Sequence, residues 1–160
     1  CELIEAGQPD FIEIKAVTYC GKSDASSLTI QNSPWHAEVC SFSESIAERL
    51  VKRGNSIAYS IATEHEHSCC VLLAREDKFK INGVWHTWID YTKFATLSKE
   101  YYLSQRKNTF KSADYIAPTP SWALYQSAEK GFDPIENRWR RNAKGERVEI
   151  SYKSSESGCG

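Results

Sequence analysis

The sequence predicts an α/β layout, or α+β for a fragment, on three observations. Residues 11–19 (FIEIKAVTY) alternate apolar and polar side chains and are rich in β-branched residues, the pattern of a half-buried strand. Trp35, Val39, Phe42, Ile46 and Leu50 recur at spacings of four and three, one apolar stripe on a helix. Asn82-Gly83 lies between Phe-Lys-Ile and Val-Trp-His-Thr-Trp-Ile, the strongest short-range signal for a type I′ hairpin.

The elements follow in order. The strand at 11–19 ends at Cys20-Gly21, and a polar loop leads to Asn32-Ser33-Pro34. Ser33 offers an N-cap oxygen and Pro34 suits the first helical position, so the helix is expected from there to Gly54. Residues 56–63 (SIAYSIAT) alternate again, with Ile57, Tyr59 and Ile61 on one face. Residues 68–74 (SCCVLLA) form a continuous apolar run, as in a strand covered on both faces. After the hairpin, Asp90 is placed to cap a helix carrying Tyr91, Phe94, Leu97 and Tyr101. Thr119-Pro120 opens a further expected helix, SWALYQSAEK, with Gly131 closing it.

At 160 residues, 41% hydrophobic and 26% charged, the chain can bury one ordinary core. Twenty basic residues against 21 acidic ones leave no overall field that would select nucleic acid or anionic lipid. The apolar runs are too short to span a bilayer, and a soluble cytoplasmic protein is expected, with no membrane partner. Residues 137–160 differ: six Lys/Arg against three Glu give a net +3, and the last residues are low in apolar content. We therefore read 1–136 as one unit and 137–160 as a basic, disordered tail. The chain starts at Cys1 and has no Met, which suggests the C-terminal piece of a longer protein. The six cysteines include no C-x-x-C, and reduced thiols that pack as small hydrophobes are expected.

Several polar groups are candidates for a site. Tyr19, Cys20, Gly21, Lys22 and Ser23 leave a strand end, where α/β folds gather their loops, and Gly21 allows close backbone approach. Asn32 and His36 flank a helix start, which favours an anion such as phosphate or carboxylate. In Glu64-His65-Glu66-His67-Ser68, strand alternation would put the two histidines on one face and Glu64, Glu66 and Ser68 on the other. Two imidazoles need a third ligand, from His36, His86 or Asp90, before they hold a metal. The competing role is to orient a substrate, and no metal site is expected. Arg138-Trp139-Arg140-Arg141 combines guanidinium groups with an indole, which suits phosphate contact with base stacking. Trp85 and Trp88 read as core.

The segments 14–23 (IKAVTYCGKS), 26–29 (SSLT), 32–39 (NSPWHAEV), 64–68 (EHEHS), 79–85 (FKINGVW), 87–91 (TWIDY), 119–123 (TPSWA) and 129–134 (EKGFDP) resemble the tRNA 4-demethylwyosine synthase family of the wybutosine pathway. The resemblance implies a radical S-adenosylmethionine enzyme, a carbon–carbon lyase. Its substrate would be 1-methylguanosine beside the anticodon of phenylalanine tRNA, onto which it condenses two carbons of pyruvate. It also implies 4Fe–4S clusters, S-adenosylmethionine and, in eukaryotic members, FMN on a flavodoxin-like domain. No C-x₃-C-x₂-C occurs here, so this chain is expected to bind none of these by itself and to be inactive alone. It would supply the last strand and helix of the partial barrel, plus a hairpin and helix extension, with the rest of the barrel upstream. The residues expected at substrate are Tyr19, Gly21, Ser23, Asn32, His36, Glu66 and Ser68, with Arg138, Arg140 and Arg141 on tRNA phosphates; no catalytic acid or base is assigned. A free-standing RNA-binding module without chemistry is the competing reading.

Overall fold

A computed structural model describes residues 1–22, 24–136, 138–142 and 144–150, with Arg138, Arg140 and Ile150 described by backbone alone. The architecture is mixed helix and sheet. After a short helix α1 (Glu2–Gly7), strands β1 (Phe11–Lys15), β2 (Tyr59–His65) and β3 (Cys70–Arg75) form one sheet in the order β1-β3-β2. Both outer strands run antiparallel to β3, so β1 and β2 are parallel to each other with β3 inserted between them. Helix α2 (His36–Lys52) makes the crossover from β1 to β2, a split β-α-β arrangement.

One face of this sheet is closed by α2. Val39 and Leu50 pack with Tyr59, Val71 and Leu73, and Ile12, Ile14, Ile46, Ala47, Ile57 and Ile61 extend that core. The predicted helical stripe is only partly inward: Trp35 and Phe42 are 63% and 59% exposed, and Ser43 is buried in their stead, its hydroxyl donating to the Val39 carbonyl. Ser33 is not the cap. The helix starts two residues later, Glu38 Oε2 accepts the Trp35 N–H at 2.7 Å, and Ser33 Oγ donates to the Val17 carbonyl.

On the opposite face, Ala62, Ala74 and Phe79 pack with Trp85 and Ile116 from the second half of the chain. There α3 (Glu76–Phe79) leads into the hairpin of β4 (Lys80–Ile81) and β5 (Val84–Trp85), whose turn residues Asn82 and Gly83 both take positive φ, as a type I′ turn requires. A second ribbon pairs β6 (Trp88–Ile89) with β7 (Ile116–Ala117), and α4 (Tyr91–Leu103) begins at the expected cap, Asp90 accepting from the Lys93 N–H. Among the described residues no helix is long and apolar enough to cross a membrane.

Three expectations need correction. SWALYQSAEK is not a helix: Ser121–Ala123 make one 3₁₀ turn, after which Leu124 bridges Thr63 and the Tyr125 N–H donates to the Ala62 carbonyl. The edge of β2 takes the donors that a helix would have used. The basic segment is not wholly without structure, because β8 (Arg138–Arg141) pairs with β9 (Arg147–Ile150), and the Arg147 guanidinium lies 4.5 Å from the Trp139 ring centre. Finally, Cys69 is disulfide-bonded, whereas Cys1, Cys20, Cys40 and Cys70 are free; spacing alone does not reveal pairing.

Candidate functional site

Beyond β1 the chain runs without regular secondary structure through Val17, Thr18 and Tyr19, which line two small cavities. One, about 220 Å³, is walled by Val17–Lys22 with Ser26, Leu28, Thr29 and Ser33. The other, about 230 Å³, is lined by Lys15–Tyr19, Ser33, His67, Ser68 and Cys69. Tyr19 and Ser33 belong to both, and the Ser33–Val17 hydrogen bond ties α2's approach to the segment between them. Of the predicted binding residues, this brings together Tyr19, Gly21 and Ser68. Gly21 has φ +95°, a conformation that side-chain-bearing residues rarely adopt. Ser23 lies outside the described residues.

Other predicted residues are engaged elsewhere. Asn32 Oδ1 accepts the Thr29 N–H at 2.7 Å, so this side chain locks a turn. Glu66 pairs with Lys130 at 2.8 Å, which holds the ammonium pKa above its ordinary value. His65 and His67 do not act as a strand pair: β2 ends at His65, a 3₁₀ turn spans Glu66–Ser68, and both rings flank Phe132. His65 Nδ1 is hydrogen-bonded to Ser68 Oγ at 2.6 Å, which fixes the hydroxyl at the cavity wall. Arg141 donates to the Gly145 carbonyl.

His36 lies in a cluster that the sequence did not reveal. Its Nε2–H donates to Glu64 Oε2 at 2.7 Å, and Cys40 Sγ lies 3.4 Å from the same nitrogen. Cys40 is visible in hindsight as the i+4 neighbour of His36 on one helix face. Glu64 is there because of a β-bulge. Ile61 pairs with Leu73 and Thr63 with Leu72, leaving Ala62 as the extra residue, so Glu64 shares the α2 face with Ile61 and Val71. Strict alternation would have turned Glu64 to the other side. The carboxylate also accepts the Gln126 N–H at 2.6 Å, and the two side chains are only 10% and 6% exposed. Burial, and then the Glu64 charge, push the Cys40 thiol pKa up to about 11.

On the far face, Thr63, His65, Cys70, Thr87, Trp88, Trp122 and Gly131 line a cavity of about 270 Å³. Trp88, read as core, is 42% exposed and meets Trp122 edge-on at 5.6 Å between ring centres. Gly131 is required here: a Cβ would overlap the backbone of Glu64 and His65, and its φ is +89°.

Residues 6–75 match the family model for wyosine base formation. Over 143 residues, 89% of this chain, the sequence is 52% identical to the S-adenosyl-L-methionine-dependent tRNA 4-demethylwyosine synthase of Oryza sativa subsp. japonica. The chain belongs to this family. It is 51% identical over 143 residues to the enzyme of that name in Danio rerio, and 48% identical over 147 residues, 92% of the chain, to that of Homo sapiens. The chain spans about a fifth of the length of these curated relatives, 20%, 19% and 19% respectively. No solved structure matches it.

A 4Fe–4S cluster takes several thiolates on one loop or face. Among the described residues the group with metal-ligand spacing is His36, Cys40 and Glu64, which holds a single thiol, so these residues do not fit such a cluster.

Proposed function

We propose that this chain is part of an S-adenosylmethionine-dependent enzyme that builds 4-demethylwyosine on tRNA, and that the surface around Val17–Tyr19 faces the substrate. The carrying observation is the identity of 52% across 89% of the chain to a synthase of that activity. The paired cavities at the β1 exit support the second half of the reading, because they gather hydroxyl groups around the one segment Val17–Tyr19.

In the finer form of this proposal the substrate is 1-methylguanosine beside the anticodon of phenylalanine tRNA, pyruvate supplies carbon, and the reaction class is a carbon–carbon lyase of the cytoplasm. Cleavage of S-adenosylmethionine, the clusters and any FMN belong to parts of a longer protein outside these residues, and this chain alone is inactive. The outer edge of β1, which carries no strand among the described residues, is where the rest of a partial barrel would join. Tyr19 and Ser68 would contact the substrate, with Gly21 leaving room for it. Asn32, His36 and Glu66 would support the shape of the pocket without touching substrate.

The β8–β9 hairpin favours a second role, as a phosphate-contacting arm, because Arg138, Trp139, Arg140, Arg141 and Arg147 sit on two paired strands. That role alone would make the chain an RNA-binding module. The test is binding of an anticodon stem-loop across a salt series. Replacing Arg138, Arg140 and Arg141 by Ala should weaken affinity and flatten the log–log salt slope by about 2–3. An unchanged slope excludes the arm from phosphate contact.

A further inference from the structure

In the reading above His36 only supports the pocket, and Cys40 and Glu64 have no role, although the three side chains meet in one half-buried cluster. Glu64 Oε2 accepts from His36 and Oε1 from Gln126 N–H. The Cys40 thiol lies 3.4 Å from the same nitrogen and 3.9 Å from Oε2, with Tyr125 beside it. His36 Nδ1 is buried without any hydrogen-bond partner. The ring nitrogen turned to Cys40 and Glu64 is Nε2, and the three donor atoms lie within 4.8 Å of one another, as metal ligands do.

We propose that His36 Nε2, Cys40 Sγ and Glu64 Oε2 bind one divalent cation of the zinc class. The donor atoms already have nearly the right separations. With metal–ligand distances of about 2.0–2.3 Å in a tetrahedron, nitrogen and oxygen should stand about 3.3 Å apart, and each about 3.6 Å from sulfur. The structure has 2.7, 3.4 and 3.9 Å. The ion therefore needs only the His36–Glu64 hydrogen bond to open by about half an ångström. His36 and Cys40 sit one turn apart at the start of α2, and the bulge at Ala62 delivers Glu64 from β2, so two rigid elements set the geometry.

Charge supports the same assignment. One carboxylate and one thiolate around a dication sum to zero, the arrangement a buried site tolerates best. Binding releases the Cys40 proton, and the His36 ring carries its remaining proton on Nδ1, leaving Nε2 free to ligate. The Gln126 N–H on Oε1 then serves as the outer hydrogen bond that orients a ligating carboxylate. A mixed imidazole–thiolate–carboxylate set favours zinc over magnesium or calcium, which prefer oxygen alone. Three protein ligands leave a fourth position for water.

The test is a titration of the metal-free 160-residue chain with Co²⁺, followed by Zn²⁺ displacement. One equivalent should bind and produce the thiolate-to-cobalt charge-transfer absorption, which Zn²⁺ then bleaches. Cys40→Ser and Cys40→Val should each abolish that band while the circular dichroism of the chain is retained. Glu64→Gln should weaken Co²⁺ at least tenfold. Absence of the band in the unaltered chain, or its persistence in both Cys40 variants, would overturn the assignment; persistence would place the thiolate on another cysteine.

Discussion

Residues 11–75 and residues 76–131 bury apolar surface in different ways. The first half joins three strands of five to seven residues in one ladder and lays an aliphatic helix face over them, so that Val71, Leu73 and Leu50 are at most 1% exposed. The second half has ribbons two residues wide and a helix with no buried residue. It is held by edge-on aromatic contacts, such as Phe94 with Tyr115 and Phe110, and by local polar ties such as Thr87 with Thr119. The lesson is that the second half depends on the first for its shape. Its closest seams, the Gly131 contact and the Leu124 bridge, are made to β2 itself.

The comparison can be broken most severely at that seam. Gly131→Ala would drive a Cβ into the Glu64 and His65 backbone at a positive φ. We expect a loss of about 4–5 kcal/mol, the top of the range for single substitutions, read as a collapse of the urea midpoint. Leu73→Ala attacks the first half alone. Because Leu73 is fully buried, it should cost about 3 kcal/mol in the same measurement.

Asp90→Ala sharpens the contrast from the other side. It removes the α4 cap and should cost about 1 kcal/mol, with faster amide exchange confined to residues 91–103. The smallest effect is expected at Glu76, where the two halves meet. The Ser60 hydroxyl, and then the Lys80 ammonium, hold its carboxyl below the usual range. A depressed pKa in the folded state stabilises above the unfolded value and is lost as pH falls through the folded one. Glu76→Gln should therefore lower stability slightly near neutrality and match the unaltered chain at low pH, so that its acid-side profile is flatter.

The same contrast explains what could be read from the sequence. The Asn82-Gly83 turn, the Asp90 cap and the alternation in β1 are local signals, and local chemistry decides them. SWALYQSAEK carried an equally good local signal and failed, because the Ala62 carbonyl and the Glu64 carboxylate captured its N–H groups. Tyr19 and Gly21 were named because they follow a strand end, and Ser68 from the family resemblance; all three line the cavities beyond β1. The face that Glu64 takes relative to Ile61 could not be read, since the bulge at Ala62 is a property of the pairing of β2 with β3 and not of either strand alone. His36 was singled out for its place at a helix start, whereas its partners come from a helix turn away and from that bulged strand.

The central claim is that the Val17–Tyr19 segment forms the substrate-facing wall of a 4-demethylwyosine synthase. It is tested most directly by placing Tyr19→Ala and Ser68→Ala, singly, in a longer protein that carries this segment and has the activity. The product is 4-demethylwyosine, quantified in tRNA by nucleoside mass spectrometry at matched protein levels. The account predicts at least about a tenfold loss for each, with Lys99→Ala on the exposed face of α4 unaffected. Product at the unaltered level in both variants would contradict it.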